Sequence, residues 1–302
     1  MGLREGLCVP IDRPRVGFHV SIAGGLPEAV ERALERECTA LQVFCGNPRA
    51  WALQPRPADE VEAFSRRRIA AGLSPLFVHA CYLINPCAPD PSVYSRSIAR
   101  MGDELRLAAR MGADYYVIHP GSSRGRPMCW AVKRAATALS RALECAGTAP
   151  PILLETTASP SGPGGDFEAL SEVTAALGGA GGASRAACGV ALDSCHAFAA
   201  GYDFRRPAEV ERMVEDIEGT VGMGAVRLLH VNDSRDEPGS GRDRHAHIGK
   251  GTIGLSGLRN LLLHPALLGL PLILETPWET VRRDLANIRA VRRLLERKRS
   301  GE

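Results

Sequence analysis

The chain has 302 residues, of which 45% are hydrophobic, and its formal net charge at pH 7 is +3. This composition is that of an ordinary globular protein, and so small a charge excludes a polycation. The nine cysteines include no paired C-x-x-C spacing, which argues against a zinc ribbon or a disulfide scaffold and favours a reducing cytoplasm. No apolar run approaches the roughly 18 residues of a membrane helix, and we expect neither a signal peptide nor a membrane anchor.

Eight short apolar runs recur at intervals of about 25 to 45 residues, and each suits a strand that is buried on both faces. In chain order the runs are residues 16–20, 40–45, 75–79, 115–119, 151–155, 189–193, 226–230 and 271–275. Eight segments between and after them have helical periodicity: residues 26–36, 58–72, 92–112, 131–146, 166–177, 207–221, 254–263 and 279–297. This alternation predicts a single (β/α)8 TIM barrel over residues 16–297, with an N-terminal extension (1–15) and a short tail (298–302).

Nearly every run ends in a residue that can bind a metal ion. These residues are His19, Cys45, His79, His119, Glu155, Asp193, His230 and Glu275. A single histidine at a strand end is more often a hydrogen-bonded core residue, and a single carboxylate there often caps the next helix. Six consecutive strands that end in histidine or carboxylate are different, because the active sites of this barrel lie where the strands end. Three carboxylates at one mouth oppose each other's ionisation unless cations are bound, so the pattern predicts a multinuclear metal site.

Two local pairs add further candidate ligands. His196 follows Asp193 in the segment DSCH, which we expect to span the strand end and the first turn of a loop. Asp243 and His245 alternate in a stretch that we take to be extended, so both side chains point the same way. Cys195, next to His196, is interpreted as a packing residue.

The sequence thus offers nine candidate metal ligands. They are His79, His119, Glu155, Asp193, His196, His230, Asp243, His245 and Glu275. A single catalytic zinc takes about three protein ligands, so this number fits three ions that share a bridging carboxylate. Histidine and carboxylate without thiolate favour zinc, and admit Mn²⁺ or Fe²⁺ at one site.

The loops after the strands carry arginines and two long irregular stretches. The stretches are residues 156–165 and 232–254, and irregular segments of this length in a compact domain are usually functional. Residues 178–184 are interpreted as a flexible link. The arginines are Arg49, Arg124, Arg126, Arg205, Arg242 and Arg244. Arginine suits contacts to phosphate, although a solvated rim is the alternative.

Eight segments follow one another in a recognisable order: residues 19–25, 79–85, 118–123, 153–157, 192–203, 230–234, 243–254 and 272–277. In this order they resemble the endonuclease IV family of apurinic/apyrimidinic (AP) endonucleases, which belong to the xylose isomerase-like barrel superfamily. The most discriminating are DSCHAFAAGYD and the DRH followed by G-x-G-x-I-G. The resemblance implies a trinuclear zinc centre that hydrolyses DNA 5′ to an abasic site, giving a 3′-hydroxyl and a 5′-deoxyribose phosphate.

The resemblance also implies a role for each ligand. The three implied groups are His79, His119 and Glu155; Glu155, Asp193, His230 and Glu275; and His196, Asp243 and His245. Glu155 would bridge two ions, and Glu275 would orient or deprotonate the attacking hydroxide, so both are candidate catalytic residues.

Four residues resemble those that wedge into the bent duplex in this family. They are Arg49 and Trp51 after the second strand, and Tyr82 and Leu83 after the third; packing of the rim is the alternative. His19 resembles a residue that supports the ligands from behind, and a simple polar position on the rim explains it equally well. The implied partner is double-stranded DNA that contains abasic sites, and we expect a cytoplasmic monomer.

Two other functions remain open at this stage. A divalent-metal sugar isomerase or epimerase on the same barrel needs only Glu155, Asp193, His230 and Glu275 around one metal ion. It has no use for the remaining candidate ligands. A protein that binds abasic DNA without cleaving it is the third interpretation, and it is weakened because no ligand is missing.

Overall fold

Each of the eight apolar runs forms a strand of a closed parallel barrel in the computed structural model, which describes residues 14–179 and 188–296. Ten strands are present in these ranges: β1 (Val16–His19), β2 (Ala40–Phe44), β3 (Leu76–His79), β4 (Tyr115–Ile118), β5 (Ile152–Glu155), β6 (Cys188–Asp193), β7 (Val226–His230), β8 (Asp233–Ser234), β9 (His245–Ala246) and β10 (Leu272–Leu274). The barrel order is β1-β10-β7-β6-β5-β4-β3-β2, and β1 closes it by pairing with both β10 and β2.

A helix forms at each of the eight predicted helical segments, although three of the helices extend beyond the predicted bounds. The helices of the described ranges are α1 (Leu26–Glu35), α2 (Ala58–Ala70), α3 (Pro91–Arg110), α4 (Met128–Ala146), α5 (Phe167–Gly179), α6 (Ser194–Ala200), α7 (Pro207–Gly219), α8 (Gly254–Leu262) and α9 (Val281–Leu295). Some helices begin or end at other residues than predicted because of a capping residue. For example, α9 starts after Thr280, whose hydroxyl accepts a hydrogen bond from the backbone N–H of Arg283. None of these helices combines the length and apolar character that crossing a bilayer requires.

The predicted TIM barrel is therefore confirmed, and its packing explains one residue of β1. A Cβ atom at Gly17 would lie 2.0 Å from the carbonyl oxygen of Ala40, so only glycine lets β1 close against β2. Apolar side chains from alternate positions fill the barrel: Ala40, Phe77, Val117, Leu153, Ala191, Leu228 and Ile273. A larger core lies between the strands and the helices.

Two segments that we expected to be loops contain regular structure. The DSCH segment turns directly from β6 into α6, because the Asp193 carboxylate caps the helix by accepting a hydrogen bond from the His196 N–H at 2.8 Å. Within residues 232–254, β8 and β9 form a two-stranded antiparallel ribbon that pairs Ser234 with His245. The expectation of a loop was wrong for Ser194–Ala200, whereas residues 232–253 are irregular apart from this short ribbon. Local caps and short-range pairing leave little signal in apolar periodicity.

The proposed extension (1–15) lies outside the described residues apart from its last two positions, and the proposed tail (298–302) lies wholly outside them. The proposed link (178–184) also lies outside, apart from the end of α5.

Candidate metal centre

The nine candidate ligands meet at the mouth where the barrel strands end. They form three groups in which one donor atom per residue lies within 4.8 Å of the others. The groups are His79, His119 and Glu155; Glu155, Asp193, His230 and Glu275; and His196, Asp243 and His245. These are the groups that the family resemblance implied, and Glu155 belongs to two of them.

Glu155 lies at the centre of the arrangement and is fully buried at the end of β5. Its Oε2 atom lies 3.0 Å from Nε2 of His79 and 3.1 Å from Nε2 of His119, while its Oε1 lies 3.0 Å from Nδ1 of His230. Burial alone would raise the pKa of Glu155, but His119 and His230 hold it well below its ordinary value. The ionised carboxylate thus presents one oxygen to each of two groups, as a bridging ligand must.

In the second group, Nδ1 of His230 lies within 4.0 Å of all three carboxylates. Its Nδ1 lies 3.3 Å from Oε2 of Glu275 and 4.0 Å from Oδ2 of Asp193, and its Nε2 lies 2.9 Å from the side-chain oxygen of Gln42. Burial opposes the charged form, but Glu275 and Glu155 raise the pKa of His230 to about 9. A cation in this group would displace that proton, because metal ligation requires the neutral imidazole.

The third group combines α6 with the ribbon loop. Nε2 of His196 and Nε2 of His245 each lie 3.2 Å from Oδ1 of Asp243, and neither nitrogen has a hydrogen-bond partner among the described residues. The opposite ring nitrogens are engaged: Nδ1 of His196 donates to the Thr156 carbonyl at 2.8 Å, and Nδ1 of His245 donates to the Glu275 carbonyl at 3.0 Å. In the neutral form of each imidazole, the lone pair is therefore on Nε2 and faces the same carboxylate oxygen.

These contacts fit divalent metal ions. His79 repeats the pattern, since its Nδ1 donates to the Ala80 carbonyl at 2.8 Å while its Nε2 faces Glu155. A lone pair that faces a carboxylate is repulsive unless a proton or a cation lies between them, and backbone acceptors that fix the opposite nitrogen are typical of metal-binding histidines. Tetrahedral zinc, with bonds of about 2.0–2.1 Å, separates neighbouring ligands by roughly 3.3 Å. Most of the closest donor distances here are 3.0–3.3 Å.

Two cysteines near the mouth differ from the histidines. Cys45 follows β2 but is fully buried in the core, where its thiol donates to the Glu104 carbonyl, so it belongs to none of the three groups. Cys195 lies close enough to Asp193 and His245 to form an alternative donor set. It is fully buried, and burial raises the pKa of its thiol to about 12, which supports a packing role.

The chain is similar to known proteins over most of its length. Residues 30–298 match the family model described as a xylose isomerase-like TIM barrel. A probable endonuclease 4 from Methanoculleus marisnigri is 40% identical over 281 residues, which cover 92% of this chain and 98% of that protein. The chain belongs to the endonuclease IV family.

Solved structures agree with this assignment. Endonuclease IV from Thermus thermophilus is 37% identical, with a TM-score of 0.82 and coverage of 93% of this chain and 99% of that one. A D-tagatose 3-epimerase-like protein has a TM-score of 0.65 over 92% of this chain and 97% of its own, but at 20% identity it shows only the shared fold. As a member of the endonuclease IV family, the chain is an enzyme of the hydrolase class.

The four candidate DNA-contact residues differ in how much of each side chain is exposed. Tyr82 is 65% exposed and lines a cavity of about 520 Å³ that also contains His79, Glu275 and members of the third group. Arg49 is also exposed. Trp51 is half-buried with the Arg96 guanidinium 4.5 Å above its ring, and Leu83 packs against the core. Tyr82 and Arg49 therefore present the side chains that a bound duplex could reach most directly.

The rim arginines divide into two sets. Three are ion-paired: Arg205 with Asp203 and Glu237, and Arg242 and Arg244 with Asp236. In the described ranges, no carboxylate oxygen lies within 4.0 Å of a guanidinium nitrogen of Arg49, Arg124 or Arg126. Of these six arginines, the three without an ion pair in the described ranges follow β2 and β4.

Three further residues of the site were not predicted from the sequence. Gln42 contacts both His230 and Glu275. Asn232 donates from its side chain to Asp193 at 2.7 Å and accepts from the Glu275 N–H at 2.9 Å. Trp278 is 76% exposed and lines the same cavity as Tyr82. The one available signal was a polar residue inside an apolar strand, as in the run ALQVF around Gln42.

His19 lies next to Glu275, where it can support this candidate ligand. Its Nδ1 is 3.2 Å from Oε1 of Glu275, and burial lowers the pKa of its imidazole. His19 thus touches a candidate ligand without belonging to any of the three donor groups.

Proposed function

We propose that this chain hydrolyses the phosphodiester bond 5′ to an abasic site in double-stranded DNA, leaving a 3′-hydroxyl and a 5′-deoxyribose phosphate. Family membership supports a DNA-cleaving hydrolase, and the three donor groups in one mouth support a centre of three ions. Zinc is the proposed metal because imidazole and carboxylate make up the donor set, with Mn²⁺ or Fe²⁺ as an alternative at one site.

The observation that carries this proposal is the shared use of Glu155. Because its two oxygens face different groups, Glu155 joins the set of His79 and His119 to the four residues that a one-metal enzyme needs. The third set lies in the same mouth. An isomerase or epimerase would have no use for His119, or for His196 and His245, whose Nε2 atoms both face Asp243. A multinuclear centre gives each of these side chains a function.

In the proposed reaction the side chains position the phosphate and the attacking water. Bound zinc would act as a Lewis acid toward the phosphate oxygens. Glu155 would hold two groups in a fixed relation, and Glu275, which faces the cavity, would orient the water by accepting its hydrogen bond. The carboxylate of Glu275 can do so as an anion, because the charge of His230 keeps its pKa below the ordinary value despite burial.

Recognition would depend on the missing base. Turning an abasic nucleotide out of the duplex costs less than turning out a normal one, since no base has to be unpaired or unstacked. Tyr82 and Arg49 would enter the gap and hold the bend, and Trp51 and Leu83 would support them from the packed side of the rim. We propose a monomer that acts in the cytoplasm, where the DNA substrate would be; one chain supplies all nine donors.

The proposal is tested by metal analysis together with cleavage of a duplex that carries one tetrahydrofuran abasic site. About three zinc ions per chain and incision on the 5′ side of the site are expected. His119→Ala should lose one ion and most of the cleavage, whereas His264→Ala, at a partly buried histidine that pairs with Glu211 outside the three donor groups, should change neither. One ion per active chain, with His119→Ala fully active, would favour the sugar isomerase or epimerase.

A further inference from the structure

Gln42 is a buried polar residue in an otherwise apolar strand. It lies two positions after Ala40, whose side chain fills the barrel, so it points inward one layer closer to the mouth. Its side chain has no exposed surface. A buried amide must satisfy both its oxygen and its nitrogen, so its partners show what it holds in place.

The partners of Gln42 leave one orientation for the amide. Its nitrogen lies 2.6 Å from Oε1 of Glu275 and 3.0 Å from Nδ1 of His19, and its oxygen lies 2.9 Å from Nε2 of His230. An ionised carboxylate only accepts hydrogen bonds, so the amide nitrogen must face Glu275 and the oxygen must face His230. Nε2 of His230 must then carry a hydrogen, which leaves Nδ1 as the ring nitrogen that faces Glu155 and the other oxygen of Glu275.

We propose that Gln42 is a positioning residue that fixes the tautomer of His230 and the orientation of Glu275 for metal binding. The inference rests on the proposed function for the identity of the metal, but its geometry is that of the protein alone. His230 differs from His79, His196 and His245, whose far nitrogens donate to backbone carbonyls. The far nitrogen of His230 instead donates to the side chain of Gln42, which is 188 residues away in the sequence. Gln42 also restrains the candidate catalytic carboxylate with the same amide group.

The first test is Gln42→Met, which keeps a similar volume and removes both hydrogen bonds. Loss of a supporting partner of this kind typically costs about 10- to 100-fold in metal affinity or activity. We expect one zinc ion to bind that much more weakly in competition with a chromophoric chelator, with a comparable fall in kcat and little change in KM for abasic duplex. Val43→Ala is the matched control, because it opens a cavity on the opposite face of the same strand and should leave zinc affinity unchanged.

Gln42→Glu separates the two tasks and remains informative if Gln42→Met folds poorly. A glutamate oxygen can still accept from Nε2 of His230, but its charge repels Glu275 instead of donating to it. We expect this variant to lose kcat while retaining tighter zinc binding than Gln42→Met. Wild-type zinc affinity and kcat in both substitutions would overturn the proposal. The chelator competition needs no DNA, so it measures the role of Gln42 independently of the proposed function. A wild-type protein that binds zinc but does not cut abasic duplex would reject the proposed function alone.

Discussion

The carboxylate of Asp233 accepts a hydrogen bond from the backbone N–H of Gly251, with 3.0 Å between Oδ2 and the nitrogen. Its other oxygen accepts from three more backbone N–H groups of the same loop. A Cβ atom at position 251 would lie 2.5 Å from Asp233 Oδ1, so glycine is required for this approach. One buried carboxylate therefore closes the loop that carries Asp243 and His245, and it does so through backbone hydrogen bonds rather than through the candidate ligands.

The first prediction concerns His245→Ala. It should remove one zinc ion and lower single-turnover cleavage of abasic duplex by roughly 10² or more, since the phosphate loses part of its charge stabilisation. The loop should nevertheless resist limited proteolysis, because Asp233 still closes it. Asp233→Ala should show the opposite order of effects: proteases should cut the loop readily, and the loss of zinc and of cleavage should be the smaller change. Three ions retained at full activity in His245→Ala would remove this residue from the centre.

A second prediction separates chemistry from binding at Glu275. Glu275→Gln changes the charge but little of the volume, so it should abolish cleavage while the Kd for abasic duplex stays within a few-fold of wild type. Its measurement combines single-turnover kinetics with fluorescence anisotropy. Unchanged turnover would show that the carboxylate is neither a required ligand nor the group that orients water.

Tyr82 and Leu83 provide a matched pair on the rim. Tyr82→Ala should reduce the preference for abasic over intact duplex on the order of 10-fold, because aromatic stacking on bases contributes about 1–3 kcal/mol. Zinc content and Tm should remain near wild type, since this side chain is mostly exposed. Leu83→Ala should instead lower Tm, because Leu83 packs against the core. Equal loss of selectivity in both variants would contradict the distinction.

The division of the rim arginines predicts the salt dependence of DNA binding. Arg124→Ala and Arg126→Ala should each reduce the slope of log K against log salt concentration by about 1 if each guanidinium neutralises one phosphate. Arg205→Ala and Arg244→Ala should leave the slope nearly unchanged, because carboxylates already pair with these side chains. The slopes come from binding titrations between low and moderate salt, and identical slopes in all four variants would reject the asymmetry.

The order of residues along the chain was sufficient to predict the barrel and the side chains that meet at its mouth. Parallel strands place all their carboxyl ends on one side, so His79, His119 and Glu155 had to converge once their apolar runs were recognised as consecutive strands. This inference needs only the period of the apolar pattern and the position of the polar residue that ends each run.

Tertiary structure alone decided which polar groups hold the ligands in place. Gln42 reaches His230 because barrel closure places β2 and β7 three strands apart around one narrow interior, a relation that no local pattern encodes. Cys45 ends its run like a ligand yet faces the outer core, since alternation along β2 turns it away from the mouth. Contacts between side chains that are far apart in the sequence form only once the sheet is closed, whereas the residue that ends each strand can be read from the sequence itself.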